Sequence, residues 1–71
     1  MSEPLRVRAN RVVMLPPRVV ARHLSMSVDF VYDEIRAEHL RAIKIGREWR
    51  IVSTDAARYL ASLGAPIPDE W

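Results

Sequence analysis

The chain contains no cysteine, so neither a disulfide nor a thiolate metal site can support it. It has no run of 18 apolar residues and no signal-peptide pattern, so a soluble, intracellular protein without a membrane partner is expected. Glycine occurs twice, and no phosphate-binding loop is present. His23 and His39 have no cysteine and no clustered carboxylates at ligand spacing beside them, so neither a metal nor a cofactor is expected. Ser25 near His23 is no catalytic pair, because neighbouring positions at a helix end diverge. Asp33, Glu34 and Glu38 read as a solvated face, or a docking site for basic groups, rather than as paired acids. Seventy-one residues make one small domain that buries only about 60% of its unfolded surface and encloses no pocket for chemistry. An enzyme is not expected.

What the chain does have is charge in blocks. Residues 1–22 carry five Arg against Glu3, a local +4; residues 23–38 carry Arg36 against four acids, a local −3. Residues 39–50 return to +3 through Arg41, Lys44, Arg47 and Arg50 against Glu48, and residues 51–71 fall to −2. Ten of the eleven cations are Arg, whose planar fork suits phosphates and base edges. A GC-rich coding bias accounts for the arginine excess equally well.

Apolar spacing divides the chain into short elements. Residues 1–14 alternate Leu5, Val7 and Ala9 with Arg6, Arg8 and Asn10, the pattern of a basic extended arm or a short strand. Pro16-Pro17 stops it, and Pro17 suits the first turn of a helix over 17–24, with Val20, Ala21 and Leu24 inward and Arg18 and Arg22 on another face. Ser25 to Ser27 form a turn, and Ser27 caps a second helix over 28–37 whose stripe is Val28, Val31, Tyr32 and Ile35. Ser53 or Thr54 caps a third helix with Ala56, Tyr59, Leu60 and Leu63 on its apolar face, ended by Gly64. The tail over 64–71 reads as loose, with Trp71 available to dock on a neighbour.

Between the second and third helices, residues 40–51 read LRAIKIGREWRI, apolar residues alternating on either side of one glycine. That is a β-hairpin pattern. With residues 46–48 as its loop, Ile45 pairs with Trp49 and Ile43 with Ile51 on an inward face, while Lys44 stands opposite Arg50 and Arg47 rides at the tip. Like charges placed opposite one another repel by a few tenths of a kcal/mol, so an anion is expected against that face.

Helix, turn, helix and basic hairpin in this order make a mostly α fold with a small β-hairpin, a winged helix-turn-helix with a third helix behind. Residues 15–60, LPPRVVARHLSMSVDFVYDEIRAEHLRAIKIGREWRIVSTDAARYL, resemble the excisionase-type winged-helix DNA-binding domain, a relative of the MerR DNA-binding domain. Val20-Ala21 with Leu24, the run from Ser27 to Tyr32, and Ala42 to Ile51 carry the resemblance. It implies that Ser27 bonds a phosphate, that Val28 and Asp29 face base edges in the major groove, and that Tyr32 and Arg36 lie near the backbone. Lys44, Arg47 and Arg50 then form the wing, with Arg18 and Arg22 on flanking phosphates. The family favours Arg where Val28 and Asp33 stand and Gly where Glu38 stands. The recognition helix is therefore acidic where relatives are basic, and the wing is expected to carry an unusual share of the affinity.

The resemblance implies a recombination directionality factor of a phage or mobile element. Such a protein binds adjacent sites on double-stranded attachment-site DNA cooperatively, bends it, and redirects a phage integrase toward excision, in the cytoplasm and nucleoid of a bacterial host. Copies would meet head-to-tail, the basic 1–22 segment of one on the acidic second helix of the next. A MerR-type activator would normally append a long coiled-coil helix after the third helix, and none is expected here; a small MerR-like transcriptional regulator, which the same fold serves equally well, is the alternative. A winged-helix protein-interaction module using the acidic helix is the second alternative.

Overall fold

The computed structural model describes residues 12–71, so the expected arm lies, over residues 1–11, outside the described residues. Six elements follow one another: β1 (Met14–Leu15), α1 (Pro17–Leu24), α2 (Val28–Arg36), β2 (Ile43–Ile45), β3 (Glu48–Val52) and α3 (Ser53–Ser62). The three strands form one small antiparallel sheet in the order β1-β3-β2. β1 is the addition to the expected hairpin: Met14 pairs with Val52 and Leu15 with Ile51. Val13 extends this edge by donating its N–H to Ser53 Oγ (2.9 Å) and accepting from Ser53 N–H (2.8 Å). Ser53 is consequently buried and does not cap α3, whose first turn has no side-chain cap.

The core lies between the sheet's inner face and the helices. Val20, Val31, Leu40, Ile51 and Leu60 are fully buried, and Leu15, Ile35, Ala56 and Tyr59 fill in around them. Two ends of the expected stripes fall outside it. Val28, in the first turn of α2, and Leu63, just past α3, are both exposed, because the stripe turns away from the core at a helix end. Trp71 docks on its own chain: its ring meets His23 edge-on at 5.1 Å, covering the last turn of α1.

All three helices end in one hydrogen-bond pattern, a Schellman closure around a left-handed residue. After α1, Ser25 (φ 55) brings Met26 N–H to Ala21 O and its own N–H to Arg22 O. After α2, Glu38 (φ 64) does the same with His39 N–H on Glu34 O and Glu38 N–H on Ile35 O. After α3 the residue is Gly64 (φ 75). A side chain in this region costs about 1–2 kcal/mol, partly offset by the extra chain entropy that glycine loses on folding, about 0.5–1 kcal/mol. Glu38→Gly should therefore stabilise the fold by about 0.5–1 kcal/mol and raise Tm by a few degrees in a thermal melt. An unchanged or lower Tm would count against left-handed strain at this position.

The hairpin forms, but in a different register from the expected one. Ile43 pairs with Arg50, Lys44 with Trp49 and Ile45 with Glu48. The turn is two residues, Gly46-Arg47, rather than three. Gly46 has φ +63 and Arg47 does not share the positive φ, the pattern of a type II′ turn, whose twist matches that of the strands. A one-residue slip moves a strand's side chains to the other face. Trp49 and Ile51 keep their inward face, Ile51 fully buried and Trp49 half-buried against the core, but Ile43 and Ile45 turn outward. The expected inward set of four is thus two, and Lys44 does not oppose Arg50.

Candidate nucleic-acid interface

The first helix places Arg18 and Arg22 one turn apart, both exposed. Ser27 begins α2 as expected: its Oγ accepts the Phe30 N–H at 3.2 Å. Val28 and Asp29 follow in the first turn, both on the surface, Asp29 where its charge suits the helix dipole. Tyr32 is half-buried and packs against the core. Arg36, in the last turn, is held by Asp33 at 2.7 Å, although both side chains are about 70% exposed (69% and 70%). An ion pair this exposed contributes little stability and yields to a stronger anion.

In the hairpin the three expected wing cations divide. Arg47 is exposed at the turn. Lys44 lies with its ammonium 5.1 Å from the centre of the Trp49 ring, a cation–π contact that holds the side chain without neutralising its charge. Arg50 is committed within the chain: its guanidinium donates to the Trp49 carbonyl oxygen at 2.8 Å and to Glu48 at 3.3 Å. The expected repulsion between Lys44 and Arg50 is absent, and so is the reason it supplied for an anion against that face. No carboxylate of the described residues lies within 4.0 Å of Arg18, Arg22, Arg41, Lys44 or Arg47. Arg41, exposed just ahead of β2, joins these cations although it is not among the expected site residues. Its signal is the basic block over 39–50, with Arg41, Lys44 and Arg47 three residues apart.

One polar cluster ties α2 to the rest of the fold. The Tyr59 hydroxyl on α3 donates to Glu34 Oε1 at 2.6 Å, and His39 Nδ1 lies 3.3 Å from Glu34 Oε2. Glu34 is therefore a fastening between helices rather than part of a solvated acidic face. The two hydrogen bonds, Tyr59 first and His39 second, hold its carboxyl below the usual carboxylate range, while burial and Glu34 push the Tyr59 hydroxyl well up. A depressed folded-state value stabilises the fold above the unfolded value of about 4.3, and that contribution disappears as pH falls through the folded value. Urea midpoints measured from pH 6 down to pH 3 should fall, and Tyr59→Phe should flatten that fall. An equally steep acid limb in Tyr59→Phe would assign the acid sensitivity elsewhere.

No group of three or more histidines or acids among the described residues could hold a metal ion. No helix among them is long and apolar enough to cross a membrane. The chain matches no protein-family model, no curated protein and no solved structure.

Proposed function

We propose that this protein is a DNA-binding and DNA-bending accessory factor of the excisionase kind, built as a winged helix-turn-helix. In this reading α1 and α2 are the helix-turn-helix, with α2 entering the major groove and β2–β3 lying along the backbone and adjacent minor groove as the wing. Its partners are double-stranded attachment-site DNA, a phage integrase whose direction it sets, and neighbouring copies of itself placed head-to-tail. It performs no chemistry of its own and works in the bacterial cytoplasm.

The observation that supports this reading best is the division of charge around the hairpin. Lys44 on β2 and Arg47 at the two-residue turn are uncompensated by any described carboxylate, in a hairpin that follows two short helices joined by Ser25 to Ser27. Each phosphate neutralised by such a cation releases counterions, which favours binding at low salt. On α2, by contrast, the groups offered at the leading end are Ser27, Val28 and Asp29. An Asp accepts from a cytosine amino group and a valine touches a thymine methyl, but neither replaces a bidentate Arg on guanine, worth about 1–3 kcal/mol of discrimination. Affinity then rests on the wing and on DNA shape, and sequence discrimination is modest.

A gel shift on phage attachment-site DNA, run with and without integrase and with bend angle read by circular permutation, tests the reading. Cooperative, bent complexes that recruit integrase support it. Binding without bending and without any effect of integrase would move the protein to the regulator alternative.

A further inference from the structure

The observed register leaves an apolar sheet face that Lys44 does not share. Eight large apolar side chains are exposed among the described residues, and three of them, Met14, Ile43 and Ile45, share the sheet face that points away from the core. Val12 continues the same alternation at the margin, beyond the Val13–Ser53 pairing. Ile45 is 53% exposed and Ile43 42%, high for branched side chains within strands. The same face carries one anion and one cation, Glu48 and Arg50, two residues apart on the central strand and directly opposite Ile45 and Ile43.

We propose that this face is a contact between two copies of the chain, packed sheet on sheet about a two-fold axis that crosses β3 at the level of Trp49. A two-fold contact uses the same patch twice and must complement itself. This patch does so in that one placement: Arg50 of each copy comes over Glu48 of the other, and Ile43 of each over Ile45 of the other. Moving the axis by one residue along β3 sets Arg50 against Arg50 or Glu48 against Glu48. A duplex is a poorer occupant, because Glu48, 69% exposed in its side chain, would face phosphates. Lys44 lies on the opposite face and Arg47 at the turn, so pairing leaves both cations of the wing free. The proposal stands on the sheet face alone and does not rest on the DNA reading.

Few side chains take part from each copy, so the area is below that of a standard stable interface and the dimer is weak and concentration-dependent. The absence of cysteine permits a clean test. Ile43→Cys and Ile45→Cys are prepared separately, mixed in equal amounts and oxidised, with Met26→Cys, equally exposed but away from the sheet, as control. The expected product is the mixed 43–45 disulfide, several-fold in excess of either symmetric disulfide and of the control. In parallel, sedimentation equilibrium of the wild-type chain should show mass rising with concentration, and Ile45→Asp, folded by circular dichroism, should stay monomeric. A wild-type chain that remains monomeric throughout, or cross-linking no more selective than in the control, overturns the proposal. So does an Ile45→Asp variant that associates like wild type. Loss of cross-linking on adding duplex, with Ile45→Asp weakening DNA binding instead of association, would hand the face to DNA and overturn it as well.

Discussion

Ile51→Ala should cost about 2–5 kcal/mol, while Ile45→Ala, on the other strand of the same hairpin, should cost less than about 0.5 kcal/mol. Ile51 sits on the central strand with no solvent exposure, paired with Leu15 on the edge strand and surrounded by the core. Removing its three outer carbons forfeits transfer free energy and leaves a cavity that a strand held on both sides cannot collapse. A domain of this length has a total stability of about 4–10 kcal/mol, so the loss takes a large part of it. Urea unfolding of dilute protein measures both variants. In the three-residue-loop register the two isoleucines would face the same way, and Ile45→Ala would be costly too. Equal losses for the two substitutions would therefore contradict the register described above.

The second large effect concerns the wing. Arg47→Ala should weaken DNA binding at least about tenfold, equivalent to about 1.4 kcal/mol, and more than any alanine substitution on α2. Arg47 is exposed at the turn with no described carboxylate within 4.0 Å, whereas Arg36, the one cation on α2, must first leave Asp33. Arg50→Ala should show a different phenotype. Its guanidinium already serves the Trp49 carbonyl and Glu48, so its removal should lower stability more than it lowers the salt dependence of binding. Fluorescence anisotropy titrations on one duplex, paired with urea melts, separate the two. Binding that falls further for an α2 substitution than for Arg47→Ala would reverse the assignment of affinity to the wing.

The order of elements is legible in the sequence because each boundary carries local chemistry. Pro17 starts α1, Ser27 caps α2, and Gly64 closes α3, each through a preference that operates within a few residues. The register of the hairpin is not legible in the same way. GREW accommodates a two- or three-residue loop, and the alternation of Ile43, Ile45, Trp49 and Ile51 favours the one that hides all four. The observed turn instead satisfies the backbone at Gly46 and leaves two isoleucines outside. Glu34 reads as surface charge in the sequence because its partner, Tyr59, is 25 residues away and falls on an apolar stripe. Ser53 reads as a cap because its actual partner, Val13, lies 40 residues earlier.

Within the candidate site the same limit applies. Exposed cations such as Arg18, Arg22 and Arg47 follow from helix spacing and turn position, which are local. Whether a cation is available depends on which carboxylate the fold brings beside it. Arg36 and Arg50 acquire such partners, while Lys44 acquires an aromatic ring. Glu38 adopts the left-handed conformation that a glycine would occupy without strain, and the helix pattern over 28–37 does not mark that position.

In the proposed reading the cations of the wing and first helix bind a nucleic-acid backbone. The most direct test is the affinity of the wild-type chain for one duplex from about 50 to 200 mM salt, with Lys44→Ala/Arg47→Ala alongside. Log affinity should fall linearly with log salt in the wild type. The slope should be shallower by about 1.8 in the double variant, about 0.9 for each phosphate that the missing cations no longer neutralise. An affinity that does not change with salt, or a slope that the double substitution leaves intact, would contradict this claim.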